Sequence, residues 1–294
     1  MGRRLQAMRG HQAGPEAGRT DQARLWRTDD LGGLELLCAS YVSFVFTPHT
    51  HESFLIALTE EGVGYPIFRR DQHPVRPGDV FVLNPEESHA GGPATDAPWG
   101  YRAIYPTAEL LLRLSAEFAE RRARVPEFAG EVVRDRAVAD RLRRFHLASE
   151  QPHASQLQRE SYLAEALVWL VRRLGVRGQP LRPAGREHAA VTAARQYLDA
   201  HIGDNVSLVS LAAVVGLSPF HLCRVFKDGV GLTPHAYQDQ LRVRRAKQLL
   251  AQQVPIAQAA VEAGFYDQAH LTRHFKRVVG ITPGRYVALG PGRP

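Results

Sequence analysis

Cysteine is nearly absent. The 294 residues hold two, Cys38 and Cys223, too few for a disulfide scaffold and without the paired spacing of a thiolate zinc site. The two fall in different halves of the chain, so reduced thiols and a cytoplasmic setting are expected. Long hydrophobic runs are missing as well: no apolar stretch approaches the roughly 20 residues of a membrane span. No Gly-rich nucleotide loop and no nucleophile elbow occurs, and nothing else supports catalysis, so the chain is not read as an enzyme. Residues 1–180 lack net charge, with 23 Lys and Arg against 23 Asp and Glu. Residues 181–294 carry 14 against 7, so the whole formal charge of +7 lies there. A positive excess concentrated in this way fits nucleic acid. A membrane surface is the rival polyanion, but no polybasic tail or lipid-anchor motif accompanies the charge. The opening MGRRLQAMRGHQAGPEAGRT has basic residues without the apolar core of a secretory signal. Residues 1–20 are expected to be a disordered tail, with Met8 as a second candidate start.

What is there is a repeat. Residues 222–237 (LCRVFKDGVGLTPHAY) recur as residues 271–286 (LTRHFKRVVGITPGRY), with nine of the sixteen positions identical. In the first copy Ser207 stands where a helix N-cap belongs, followed by Leu208, Leu211, Ala212 and Val215 at helical spacing. Gly216 allows a tight turn, and Ser218-Pro219 starts a second helix with Leu222, Val225 and Phe226 on its apolar face. Phe220, His221, Arg224 and Lys227 lie on or near the other face. The second copy uses Ile256, Ala259, Ala260 and Ala263, then Gly264, then Asp267 as a cap. Its second helix buries Leu271, Phe275 and Val278 and turns Gln268, Thr272, Arg273 and Lys276 outward, with His270 close by. Two helices around a short Gly-bearing turn form a helix-turn-helix, whose second helix fits the major groove. Tyr237–Gln252 between the copies reads as one long spacer helix.

At these residues the chain resembles the AraC/XylS family of bacterial transcription regulators. The resemblance rests on LAAVVGLSPFHLCRVFK, LRVRRAKQLL, VEAGFYDQAHLTRHFK and GITPGRY, in family order over about residues 190–287. It implies that Phe220, Cys223, Arg224 and Lys227, with Gln268, Ala269, His270, Thr272 and Arg273, occupy DNA-facing positions; His221 and Lys276 complete the candidate set. Solvated surface arginines are the bland alternative for Arg224 and Arg273, against which stands their identical placement in both copies. Lys227 and Lys276 suit phosphate better than base edges. Phe220 is equally suited to packing on the turn, and Cys223 is a small residue that need not be reactive.

From Leu34 to Tyr105 short β-rich runs are broken by Gly and Pro. Strands are expected at Tyr41–Thr47, Ser53–Thr59, Tyr65–Arg69, Val80–Leu83 and Gly100–Tyr105, making a small antiparallel sandwich or barrel. Helices follow at Ala108–Phe118, Val138–Leu147 and about Gln156–Leu174. In the last of these Leu163, Leu167, Leu170, Val171 and Leu174 form a stripe for its own barrel or for a homodimer seam, the expected choice. This half resembles the cupin-type sensory domain of such regulators, on HTHESF at 49–54, RPGDVFVLNPEESH at 76–89 and WGYRAIY at 99–105. The likeness implies a small effector in the barrel, with His49, His51, Glu52, Glu61, His89 and Tyr101 as candidate binding residues. His-x-His plus a distant His is also the imidazole set of metal-binding cupins. Their usual Glu is absent, with Leu55 and Ile56 in its region, so no metal or other cofactor is expected. A Trp that stacks on sugar in arabinose-sensing members is replaced by Ala103, which disfavours arabinose.

The expected fold is therefore α+β and multidomain: an N-terminal cupin-like β-barrel with appended helices, then an all-α domain with two helix-turn-helix units joined by a linker helix. Boundaries are placed at 1–20 for the tail, 21–175 for the effector-binding and dimerisation domain, 176–188 for the linker and 189–294 for the DNA-binding domain. The expected function is transcription regulation, by family habit activation, through double-stranded DNA, a small-molecule effector and contact with RNA polymerase. A metal-dependent cupin enzyme or metal sensor with a DNA-binding appendage is the alternative.

Overall fold

The computed structural model describes residues 20–69, 71–116, 125–128, 132–174, 187–279 and 281–289. Nearly all of the expected tail and linker lies outside these residues.

The N-terminal half holds two antiparallel sheets. The larger has the order β1 (Gln22–Thr28), β2 (Leu34–Tyr41), β9 (Trp99–Tyr105), β4 (Leu55–Glu61), β7 (Val80–Leu83) and β10 (Val132–Val133). The smaller runs β3 (Phe46–His49), β8 (His89–Gly91), β5 (Ile67–Phe68) and β6 (Asp71–Gln72). Among the described residues the sheets do not close on one another by hydrogen bonds, so in place of the expected barrel there is an open pair of sheets. Period-2 alternation gives the larger sheet two buried faces. Leu36, Ile56, Leu58, Val82 and Ile104 join the helices in one core. Leu37, Ala57, Phe81, Trp99, Tyr101 and Ala103 turn the other way and meet Phe68 of the smaller sheet.

The strand expected at Tyr41–Thr47 is broken. Asp21 accepts hydrogen bonds from the backbone N–H groups of Val42 (2.6 Å) and Ser43 (3.0 Å), which takes them out of any ladder and ends β2 at Tyr41. The strand expected at Tyr65–Arg69 shortens to β5. Strands β1 and β2 go beyond the expected set: β1 is mostly exposed and lacks an apolar face, whereas β2 buries Leu34, Leu36, Leu37 and Ala39.

Three described helices cover the larger sheet: α1 (Ala108–Ser115), α2 (Arg136–Ser149) and α3 (Gln156–Leu174). Leu163, Leu167, Leu170 and Val171 of α3 share a core with Leu111 and Leu114 of α1 and with Val138, Leu142 and Phe145 of α2. Most of the stripe expected as a homodimer seam at residues 156–174 is buried within the protomer, so it packs on its own domain, the other use its sequence offered.

The C-terminal half is helical: α4 (His188–Ala200), α5 (Leu208–Val214), α6 (Pro219–Val230), α7 (Pro234–Ala251), α8 (Ile256–Glu262), α9 (Gln268–Val279) and α10 (Pro283–Leu289). The spacer helix α7 serves both units. Leu241 joins the core that contains Leu211, Leu222 and Phe226, whereas Val243, Ala246 and Leu250 pack with Ala260, Leu271 and Phe275. Arg242 turns inward, 4% exposed, and donates to Ile202 O (2.9 Å) and Asp204 O (3.0 Å). One long helix with a foot in each core holds the two units in fixed relation. Helix α3 bridges the two halves, packing against α2 and against α5, α6 and α7.

Candidate nucleic-acid interface and sensory site

The first helix-turn-helix forms as its residues dictate. Ser207 and Ser210 make a reciprocal capping box at the start of α5. Gly216 takes the left-handed conformation, φ 67°, that the turn requires. Ser218 then caps α6 by accepting from His221 N at 3.2 Å, with Pro219 at the first helical position. The two helices meet at a bend of 80°. In the second unit Gly264, φ 89°, makes the turn, and Asp267 caps α9 by accepting from His270 N at 2.6 Å.

The outer stripe of α6 is largely covered: Phe220 and Cys223 are buried, and Arg224 and Lys227 are partly exposed. Phe220, Cys223, Arg224 and Lys227 follow the i, i+3, i+4, i+7 spacing of one helical face. That face lies on α3. Phe220 is 8% and Cys223 3% exposed, and Cys223 Sγ stands 3.8 Å from Ser161 O. Lys227 pairs with Glu165, itself buried. Arg224 borders a cavity of about 150 Å³ between α3 and α6, together with Ala164, Val168 and Trp169. Glu160 accepts from Leu208 N at the start of α5, and Tyr162 meets His235 of α7 edge-on at 4.5 Å. Burial pushes the Cys223 thiol well up, so it is an inert core group here.

His221 requires a correction. It was expected on or near the outer face, yet it is 8% exposed. Its Nε2 lies 2.6 Å from Glu187 Oε1 and its Nδ1 2.9 Å from Arg224 Nη2. Arginine only donates, so Nδ1 accepts and Nε2–H donates to the carboxylate. The ring ties α6 to the start of α4 and orients Arg224 rather than reaching outward.

In the second unit Gln268, Ala269, Arg273 and Lys276 are exposed and Thr272 half-buried. Arg273 Nη2 donates to His153 Nε2 at 2.6 Å, a contact from the sensory half to the second reading helix. His270 is the second correction. One turn before His274, it shares that residue's inner face, 4% exposed, with Nε2 at 3.1 Å from His274 Nε2 and its ring against Phe265. Burial, with His274 and His153 adding to it, lowers His270 to about 4, so the ring is neutral and structural. Val278, expected in the core, is 46% exposed.

In the sensory half His49 and His89 are directly paired across β3 and β8, and His51 folds over them. Ring centroids stand 4.2 Å apart for His49–His89, 4.9 Å for His51–His89 and 5.0 Å for His49–His51. Three of the six expected effector residues therefore meet. The other three do not join them. Glu52 and Glu61 are exposed, and Tyr101 packs between Trp99 and Tyr41. The neighbour of the histidines is instead Tyr105, 5.2 Å from His51 by ring centroids. Its place, four residues beyond Tyr101 on the same face of β9, was available from strand alternation. Glu165 and Ser161, which hold the outer stripe of α6, carried no sequence signal, since a polar residue on a long amphipathic helix reads as solvated.

Comparison with known proteins agrees with this division. Residues 31–167 match a family model described as an AraC-like ligand binding domain, and residues 211–288 match one described as a helix-turn-helix domain. An uncharacterized HTH-type transcriptional regulator, YbfI of Bacillus subtilis, is 29% identical over 228 residues, 77% of this chain and 81% of that protein. The arabinose operon regulatory protein of Salmonella typhimurium is 28% identical over 266 residues, 83% of this chain and 87% of its own. Among solved structures, an AraC-type DNA-binding protein from Chromobacterium violaceum is 32% identical over 36% of this chain and 97% of its own, with a TM-score of 0.34.

Proposed function

The chain belongs to the AraC-type transcription regulators, effector-controlled proteins that join a ligand-binding domain to a helix-turn-helix DNA-binding domain, and from that premise we propose that this structure is the DNA-excluding state of its switch. One observation carries the reading: the outer face of α6 cannot lie on α3 and in a major groove at once, because a groove about 12 Å wide takes the helix with that face free. Effector binding in the sensory half then shifts the population toward a form in which α3 releases α6, and DNA affinity rises in proportion to the open fraction.

In the open form Arg224 and Arg273 read base edges, Lys227 and Lys276 hold phosphate, and Phe220, Cys223, Gln268, Ala269 and Thr272 complete the two contact surfaces. The boundary between sensing and reading halves falls at residues 176–188. The effector sits near His49, His51 and His89, with Tyr101 further along the same strand as Tyr105. Contact with RNA polymerase, in the cytoplasm where the DNA is, would use surface free in both states; Val209 and Val214 of α5, 59% and 53% exposed, support this.

A cross-link tests the switch. Cys223 Sγ is close to the backbone of residue 161, so Ser161→Cys in a Cys38→Ser background places two thiols across the contact. Oxidation is expected to lower affinity for a selected operator at least tenfold, with recovery in dithiothreitol. A cross-link that forms in good yield and leaves DNA binding intact would overturn the proposal, as would failure of the two thiols to join.

A further inference from the structure

The histidine trio has a geometry that effector contact alone does not require. One ring nitrogen from each of His49, His51 and His89 lies within 4.8 Å of the other two. In two of the rings the remaining nitrogen is already engaged. His49 Nδ1 is 2.8 Å from Thr47 O and His89 Nδ1 is 3.0 Å from Glu87 O. A carbonyl only accepts, so each Nδ1 carries the proton and each Nε2 is left with its lone pair. A hydrogen bond from the far nitrogen to a backbone carbonyl in this way fixes tautomer and orientation in metal-ligating histidines.

We propose that His49, His51 and His89 bind one divalent transition ion through three imidazoles, leaving an open position for water or an effector oxygen. Imidazole donors suit Zn²⁺, Ni²⁺, Co²⁺ and Cu²⁺ and discriminate against Mg²⁺ and Ca²⁺. Zn–N bonds of about 2.0–2.1 Å set tetrahedral donors about 3.3 Å apart. The trio must therefore close by roughly 1.5 Å at its widest, a movement that the half-exposed His49 and His51 can make by side-chain rotation. His49 and His89 are held by opposed strands, so two of three donors are in place before the ion arrives. Strands set the ligand pair here, whereas the missing carboxylate in the stretch holding Leu55 and Ile56 keeps the site neutral and exchangeable.

As a description of the effector site this rests on the regulator reading, but ion binding itself does not, and the two fail separately. The full chain is stripped with chelator, loaded with Co²⁺ or Zn²⁺, passed through gel filtration and assayed for bound metal. One equivalent is expected, with visible absorption of four-coordinate Co²⁺, and at least a 100-fold weaker affinity in His51→Ala and in His89→Ala. His51→Ala removes a half-exposed ring, so its fold is expected to survive even if that of His89→Ala does not. His153→Ala, in the separate group of rings around His270, is expected to bind like wild type. Absence of stoichiometric metal in wild type, or its retention in a folded His51→Ala, overturns the site. Operator affinity measured with and without ion is a separate readout, so loss of the site leaves the α3–α6 switch standing.

Discussion

Reversing one charge far from any DNA should make this protein bind DNA more tightly. Glu165 lies on α3 with its side chain 8% exposed and pairs with Lys227, whose side chain is 43% exposed. Glu165→Lys removes that pair and places two ammonium groups together in the docked form alone; once α3 and α6 part, both are solvated. A pair this open to water contributes only about 1 kcal/mol. Screened repulsion between like charges adds a comparable amount, so the docked form loses about 2 kcal/mol. That is about a 30-fold shift toward the open form, and with docking dominant at rest, operator affinity without effector rises by up to the same factor. The assay is fluorescence anisotropy with a selected operator, in the absence of effector. Added positive charge strengthens DNA binding non-specifically, so Glu109→Lys, at an exposed position of α1, provides the same change of net charge away from the contact. Glu165→Gln should give a smaller gain, about fivefold, with no charge reversal. If Glu165→Lys gains no more than Glu109→Lys while unfolding at the same temperature, docking of α3 on α6 does not restrain DNA binding.

Arg224→Ala and Arg273→Ala should each weaken specific operator binding by about 1–3 kcal/mol with little change in thermal stability, and competition with mutated operators reads the loss of base discrimination. Gly264→Ala should destabilise the protein by about 2 kcal/mol, since φ is +89° and a Cβ would stand 2.9 Å from Arg242 Nε and 3.0 Å from Gly203 Cα. Gly216→Ala, with the same turn role but open space around it, should cost about 1 kcal/mol in urea titration. His235 of α7 is 4% exposed against Tyr162, and burial lowers it to about 4, opposed by Asp239 and Glu165 and helped by His274 and Arg144. A histidine depressed in the folded state contributes stability above its unfolded value and loses it as pH falls. Unfolding titrations should show stability declining from about pH 6.5 toward pH 4, and His235→Gln should lose less over that window than wild type.

Much of the local structure is legible in the sequence. Ser207, Ser218 and Asp267 cap the helices that their positions announce, and Gly216 and Gly264 adopt the conformations that their turns demand. Helix α3 runs over the residues expected of it, because a stripe at helical spacing and clear ends specify an element from local information alone. Single expectations failed where a side chain's partner comes from elsewhere in the chain. Asp21 ends β2 from 21 positions away, and His270 turns inward because His274 and Phe265 are there to receive it. Proximity of His49, His51 and His89 required the pairing of β3 with β8, which a two-residue motif and a lone histidine 38 positions on do not state.

The sequence by itself determined that two helix-turn-helix units exist, which of their residues are basic, and that a β-rich half precedes them. Those properties follow from spacing, capping and composition, which act over a few residues. Only the tertiary structure decided what covers them. The stripe expected to join two protomers is spent on α1 and α2, and the opposite side of α3 closes over α6. Docking is a sum of contacts between surfaces more than fifty residues apart, such as Glu165 with Lys227 and Ser161 with Cys223. Each member of those pairs is, in its own stretch of chain, indistinguishable from a solvated residue.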